Sequence, residues 1–368
     1  MSPPSEILAG VSLSLTGKFR LQGQEALNGL KLWVDYATSS FPLRLIVHDD
    51  GSRSAQAKEN VLRLLTRDRV DLLLGPYSSV LTMAVAPIAE AHGKILWNHG
   101  GASDALYERG WRHLVSLISP ASDYLRALPL LVKQRGPEIS RITVLHEKAG
   151  SFAAHVACGA ADGAKAAGFR QIRLSPFGSP IEDAATVLRE AVVGEPELLM
   201  AVGSFQDDVA IVQQRGSLPR AKALAVVAAG LEAIHRLVGG LVEGVIGPSQ
   251  WEPSVNHHNI VGPDSGWFLS EYLSRFHELP GYPAAQAFAA GLVFTECLRR
   301  AGSLEDDALL GAAYALELTT LFGGFRYDAQ TGRQIGHQIL LVQWQDGKKV
   351  VIWPEESAEA ELRYPLST

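Results

Sequence analysis

Val70-Asp71-Leu72-Leu73-Leu74-Gly75-Pro76-Tyr77-Ser78-Ser79 is the stretch whose reading decides the fold. A short apolar run closed by Gly-Pro reads as a buried strand entering a turn. The two serines that follow are helix N-cap candidates, because their hydroxyls can accept the free N–H groups of a first helical turn.

The same unit recurs on either side. Residues 7–15 read as a strand, followed by a helix with Leu27, Leu30 and Val34 on one face. Residues 43–47 form a β-rich run that ends in His48-Asp49-Asp50, ahead of a helix carrying Ala57, Val61, Leu64 and Leu65. Residues 94–97 repeat the pattern and end at Asn98-His99-Gly100-Gly101. Strands alternating with helices over short connections imply a parallel sheet covered on both faces.

After Ser119-Pro120 the alternation starts again. Strands are expected at 142–145, 172–174, 198–202 and 223–227, with helices near 153–167, 184–193 and 207–214. Gly247-Pro248-Ser249-Gln250-Trp251-Glu252-Pro253 has the composition of a crossing segment rather than a core strand. Two helical patterns, 265–277 and 284–301, precede Gly323-Gly324-Phe325-Arg326-Tyr327-Asp328. Residues 338–343 and 350–353 read as a hairpin joined through Asp346-Gly347, a strong turn signal.

The expectation is therefore an α/β protein with two doubly wound parallel-sheet lobes joined by three crossings. The first lobe takes residues 1–119 and 252–328, the second 120–248 and 332–368, with crossings near 118–122, 247–252 and 328–336. A chain of 368 residues agrees with two domains, and an apolar fraction of 47% is incompatible with disorder. In open α/β sheets ligands sit outside the carboxyl ends of the strands. Those ends fall in the loops at 14–19, 48–52, 75–79, 98–103, 146–152, 203–207 and 227–231.

Composition and spacing narrow the function classes. The net charge of −6, without long basic runs, carries no nucleic-acid footprint. Cys158 and Cys297 lie far apart with no ligand-spaced partners, so two buried free thiols are expected and no metal or cofactor. The uncharged stretches at 72–89 and 279–295 are broken by Gly and Pro, and neither reads as a membrane span. Residues 1–6 show no leader, so the chain is either cytoplasmic or a mature exported form.

Catalytic motifs fail at specific positions. Gly10 and Gly17-Lys18-Phe19 have the wrong spacing for a phosphate loop, and Phe19 stands where a hydroxyl belongs. Gly101-Ala102-Ser103-Asp104-Ala105 misses the nucleophile elbow at its last position. Adjacent His257 and His258 point apart on any regular element, and Asp49-Asp50 reads as a loop-solvating or capping pair. Nothing nominates a nucleophile with its base, so the chain is not expected to be an enzyme.

Binding physics is better represented. Ser78-Ser79 and Gly100-Gly101-Ala102-Ser103 each precede a helix and can offer hydroxyls and unpaired N–H groups to a carboxylate. From the other lobe, Phe152 and Phe205 follow strand ends, and Trp251 follows a crossing, as apolar walls for a small ligand or as ordinary core.

With these residues in view, the chain resembles the type I periplasmic solute-binding proteins of the branched-chain amino acid and amide class, the extracytoplasmic components of ABC transporters. The resemblance runs from about residue 7 to 354. It is carried by Leu15-Thr16-Gly17, Asp50, Gly75-Pro76-Tyr77-Ser78-Ser79, Gly203-Ser204-Phe205 and Gly239-Gly240-Leu241-Val242-Glu243-Gly244-Val245. Further carriers are Pro283-Ala284-Ala285-Gln286-Ala287-Phe288-Ala289-Ala290-Gly291, Phe322-Gly323-Gly324-Phe325 and Thr331-Gly332-Arg333-Gln334, leading to His337 and Gln343-Trp344.

The resemblance implies lobes that close by hinge motion on a small carboxylate, amide or amino-acid-like solute, and a membrane permease that receives the closed form. It implies a monomer in the periplasm whose leader has been removed. The ligand carboxylate would meet Ser78 and Ser79 and the backbone around Gly100, Gly101 and Ala102, with Thr16 on the neighbouring loop. Phe152 and Phe205 fall on the family's ligand-packing aromatics.

Where amino-acid binders place an acid for the ligand's ammonium, the count from Glu243 arrives at Val227. An ammonium buried without a partner is strongly disfavoured, so an acid without an α-ammonium, aromatic acids included, is the expected ligand. Two rival expectations are a cytoplasmic amide or amino-acid sensor of the same fold and an α/β enzyme using Asp49, Asp50 or His99.

Overall fold

The computed structural model describes residues 6–217, 221–328 and 330–365. Residues 1–5, on which the leader expectation rests, lie outside the described residues. The chain divides into two compact units: residues up to Ser119 with Pro253–Gln338, and Pro120–Glu252 with the residues from Ile339 onward.

The first unit opens with β1 (Ile7–Leu13), α1 (Arg20–Ala37), β2 (Leu43–Asp49), α2 (Ser54–Arg63), β3 (Leu72–Leu74), α3 (Ser79–Ala91), β4 (Leu96–Asn98) and β5 (Leu114–Ser116). Its five strands are all parallel, in the order β2-β1-β3-β4-β5. The inner strands are apolar on both faces because helices cover both. Leu72, Leu73 and Leu74 are all buried, and Leu73 packs with Val61, Leu64, Leu81 and Val85 from α2, the turn after it and α3.

The second unit begins with α4 (Leu128–Arg135), β6 (Arg141–Glu147), α5 (Ser151–Ala166), β7 (Gln171–Phe177), α6 (Ala184–Ala191), β8 (Leu198–Val202), α7 (Phe205–Gln213), β9 (Ala223–Val226), α8 (Glu232–Val238) and β10 (Ile246–Ser249). The chain then adds α9 (Ser265–Phe276), α10 (Tyr282–Ala301), α11 (Asp306–Tyr314), β11 (Glu317–Thr320), β12 (Gly323–Asp328) and β13 (Arg333–Gln334) to the first unit. It ends in the second with β14 (Leu340–Gln345) and β15 (Lys348–Trp353). The second sheet has the order β15-β14-β10-β9-β8-β6-β7, parallel from β10 to β7, with the antiparallel β14-β15 hairpin along one side.

Four readings of the sequence are corrected. The segment expected to be only a crossing contains a core strand: β10 is wholly buried and pairs along its length with β14. Pro248 disguised it, since proline removes a ladder donor and is rare inside sheets; the pairing with β9 is confined to Ile246 opposite Ala225.

The last division between units falls after Gln338, not near 328–332. β13 pairs with β12, and the Gln334 side chain donates to the carbonyls of Leu117 and Gly324, holding this segment in the first unit. Glu252 likewise stays with the second unit instead of opening the return to the first. Cys158 is exposed, because Ala153, Val156, Ala157, Ala160, Ala161 and Ala164 form the buried face of α5 and position 158 lies off it. Cys297 is buried, and burial pushes its thiol up to about 12.

The hairpin turn has the local chemistry its sequence announces. Asp346 and Gly347 both adopt positive φ, 54° and 73°, the pair that a two-residue hairpin loop requires.

Candidate functional site

In the first unit, the turn after β3 and the loop after β4 are stitched into one double loop. Gly75 N–H donates to the Trp97 carbonyl at 2.8 Å, and Ser78 N–H to the Gly100 carbonyl at 3.3 Å. Asn98, fully buried, organises the second half: its Oδ1 accepts from Gly100 N–H and Gly101 N–H, and its Nδ2 donates to the Gly101 carbonyl and Ser116 Oγ. The backbones approach so closely that a Cβ on Gly100 would lie 2.6 Å from Tyr77 Cα, so only glycine fits there.

Five of the predicted residues, Ser78, Ser79, Gly100, Gly101 and Ala102, come together here, but their roles are redistributed. The N–H groups expected to be free are engaged: Asn98 takes those of Gly100 and Gly101, and Ser79 Oγ accepts from Ala102 N–H at 3.1 Å and Ser103 N–H at 2.9 Å. Neither serine makes a side-chain cap bond to α3. Ser78 holds φ 108°, in the region that strains any side chain, and its Oγ is buried without a hydrogen-bond partner.

His99, next along, is fully buried, and neither ring nitrogen completes a hydrogen bond, although the Gly75 carbonyl lies beside the ring. Burial lowers its imidazole to about 4, only partly offset by the backbone of Gly75 and of His99 itself.

Thr16 lies on the same sheet edge, exposed, with its hydroxyl given to Asp49 Oδ2 at 2.8 Å. Asp49 also accepts from Leu15, Thr16 and Gly51 N–H. Burial would raise its carboxyl, but these bonds bring it below the usual range. Asp50 is buried and binds the Ser12 and Ser14 hydroxyls and Ser52 N–H, with burial pushing its carboxyl up. Both acids hold loops, and neither caps a helix by its side chain, since α2 begins after Arg53 without a side-chain cap bond.

In the second unit, the predicted aromatics and Val227 stand at consecutive strand ends. Phe152 is the second residue of α5 and packs edge-to-face on Tyr124 at 5.3 Å between ring centres. Phe205 opens α7 and packs against the unit's core. Val227 begins a buried turn after β9, and Trp251, after β10, is buried to 1% exposure with its backbone bonded to Ser249 Oγ.

The acids around Val227 all have partners. Asp207 forms a capping box with Ser204 and accepts from Ser179 Oγ and Ile181 N–H; burial would raise its carboxyl, and these donors lower it. Asp208, fully buried, accepts Gly203 N–H at 3.1 Å and Ala228 N–H at 2.8 Å, tying the loop after β8 to the turn after β9. Burial raises its carboxyl well above the usual range, the two N–H groups only partly offsetting it.

Glu232 and Glu252 pair with Lys349 Nζ at 3.4 and 2.9 Å, and the same amine donates to the Gly230 carbonyl. Burial would lower Lys349, but the two carboxylates outweigh it and raise it. The sequence reading missed the role of Asn98 and the buried pair of Lys349 with Glu252. Lys348-Lys349 beside a turn looks solvated, and only strand alternation, with Lys348 exposed, hints that Lys349 turns inward.

Among the described residues, no group of three or more His, Cys, Asp or Glu could hold a metal ion, and no helix is long and apolar enough to cross a membrane.

Residues 6–349 match the sequence profile of the family described as periplasmic binding protein. The chain belongs to that family. A periplasmic binding protein is a solute-binding protein, and the rims just described are its candidate ligand surfaces. Leu/Ile/Val-binding protein homolog 8 of Brucella melitensis biotype 1 is 24% identical, over 98% of this chain and 93% of its own. The leucine-binding protein LivK of Thermotoga maritima has the same fold, with a TM-score of 0.83 at 17% identity, covering 94% of this chain and 97% of that one. So does a solute-binding protein of an R. palustris ABC transporter in complex with benzoate, with a TM-score of 0.81 at 16% identity, covering 97% and 100%. The α/β fold with two parallel-sheet lobes is thus that of the type I periplasmic binding proteins.

Proposed function

We propose that the chain is the extracytoplasmic solute-binding component of an ABC importer and that it binds a small carboxylate or amide lacking an α-ammonium, aromatic acids included. The single observation that carries this reading is the state of the acids near Val227. Asp207, Asp208, Glu232 and Glu252 are all engaged by hydrogen bonds or by Lys349. None of these four stands free to receive an ammonium, and an ammonium buried unpaired is strongly unfavourable.

The head group of the ligand is assigned to Ser78 and the double loop of the first unit. Both ligand types occur among similar folds: one neighbour is a leucine-binding protein, another holds benzoate. No chemistry is performed on the solute. The partner is a membrane permease, the protein acts as a monomer without cofactor or nucleic acid, and its compartment is the periplasm.

A thermal-shift screen against amino acids, aliphatic and aromatic carboxylates and their amides tests the proposal. Stabilisation by acids or amides without an ammonium is expected; stabilisation confined to α-amino acids would overturn the ligand class.

A further inference from the structure

The double loop at 75–79 and 98–103 keeps two buried side chains whose polar atoms the fold leaves unpartnered: Ser78 Oγ and both ring nitrogens of His99. Their neighbours are used thoroughly. Asn98 makes four hydrogen bonds, and Ser79 Oγ accepts two N–H groups. Burying an imidazole without hydrogen bonds is unfavourable, and an apolar side chain of similar size would relieve the fold. His99 also stands at the end of β4, next to β3 in the sheet, and its ring lies by the Gly75 carbonyl on the turn that carries Ser78.

We propose that His99 is a specificity residue of the ligand site, whose ring N–H binds an oxygen of the same carboxylate or amide head group that Ser78 binds. This rests on the ligand reading given above. Burial keeps the ring uncharged at neutral pH, so it supplies one donor and one acceptor. The head group is then held by neutral hydrogen-bond donors, which accept an acid and its amide alike. The unpaired state of the ring is the preorganised half of a contact that the ligand completes.

His99→Leu, His99→Gln and the unaltered protein are compared by thermal unfolding and by calorimetric titration with benzoate, 4-methylpentanoate and benzamide. His99→Leu is expected to unfold at the same or a higher temperature, yet to bind these probes at least about tenfold more weakly, the loss of one buried hydrogen bond. His99→Gln, which keeps a donor and an acceptor, recovers most of the affinity. If His99→Leu binds as tightly as the unaltered protein, or unfolds at a distinctly lower temperature, His99 is structural and only this inference falls. If the unaltered protein binds none of the three probes, the proposed ligand class falls and takes this inference with it.

Discussion

On the rim of the five-stranded sheet, Ser78 and His99 are buried with polar atoms unpartnered, whereas on the rim of the seven-stranded sheet Asp207 and Asp208 are held by hydrogen bonds and Glu232 and Glu252 by ion pairs to Lys349. The first arrangement is unfavourable for the folded chain alone and becomes reasonable when a ligand completes it. The second is self-sufficient and holds loops in place. Charge and burial do not by themselves mark a binding residue; an unanswered hydrogen-bonding atom at a strand end is the better sign.

The largest effect that would break this contrast is at the ion pair. Lys349→Met leaves Glu252 buried beside Glu232 without compensation and should destabilise the protein by about 3–5 kcal/mol in denaturant titration. Adding Glu252→Leu should restore much of that loss. A single variant as stable as the parent would mean the pair is not structural.

The second effect is a pH dependence. The folded pKa of His99 is about 4, below the ordinary 6.5, so the unfolded chain binds more protons between those values. Its contribution is complete above pH 6.5 and is lost as pH falls to 4, by about 3 kcal/mol. The difference between the stability curves of the parent and His99→Leu isolates this term; parallel curves across that window would refute it.

Third, Val227→Glu adds a carboxylate beside acids that are already engaged and should raise affinity for leucine by about tenfold or more, the worth of one charge-assisted hydrogen bond, as read by calorimetry. The smallest effect is local. Ser204→Ala removes the hydroxyl half of the α7 capping box and should lower stability by about 1 kcal/mol without altering ligand preference.

The parts of the molecule written in local chemistry were legible in the sequence. The 70–79 strand and turn, the β8 strand and the Asp346-Gly347 hairpin appear where short-range pattern and turn residues put them. β10 was hidden because Pro248 argues against a strand, and only the long-range partner β14 overrules it. The double loop was legible as a place but not as a mechanism. Which N–H groups remain free depends on Asn98 and Ser79 reaching across it, and no spacing rule foresees that. Lys349 was illegible for the same reason, since its partners lie more than ninety residues away along the chain.

The most direct measurement is the affinity of the unaltered protein for leucine against that for 4-methylpentanoate, the same skeleton without its ammonium. A ligand at a hundred times its Kd adds about 2.7 kcal/mol of stability, so thermal shift reads both. Stabilisation by 4-methylpentanoate and none by leucine is the predicted result. Stabilisation by leucine with none by 4-methylpentanoate would contradict the account, because an ammonium partner would then exist although Asp207, Asp208, Glu232 and Glu252 are already engaged.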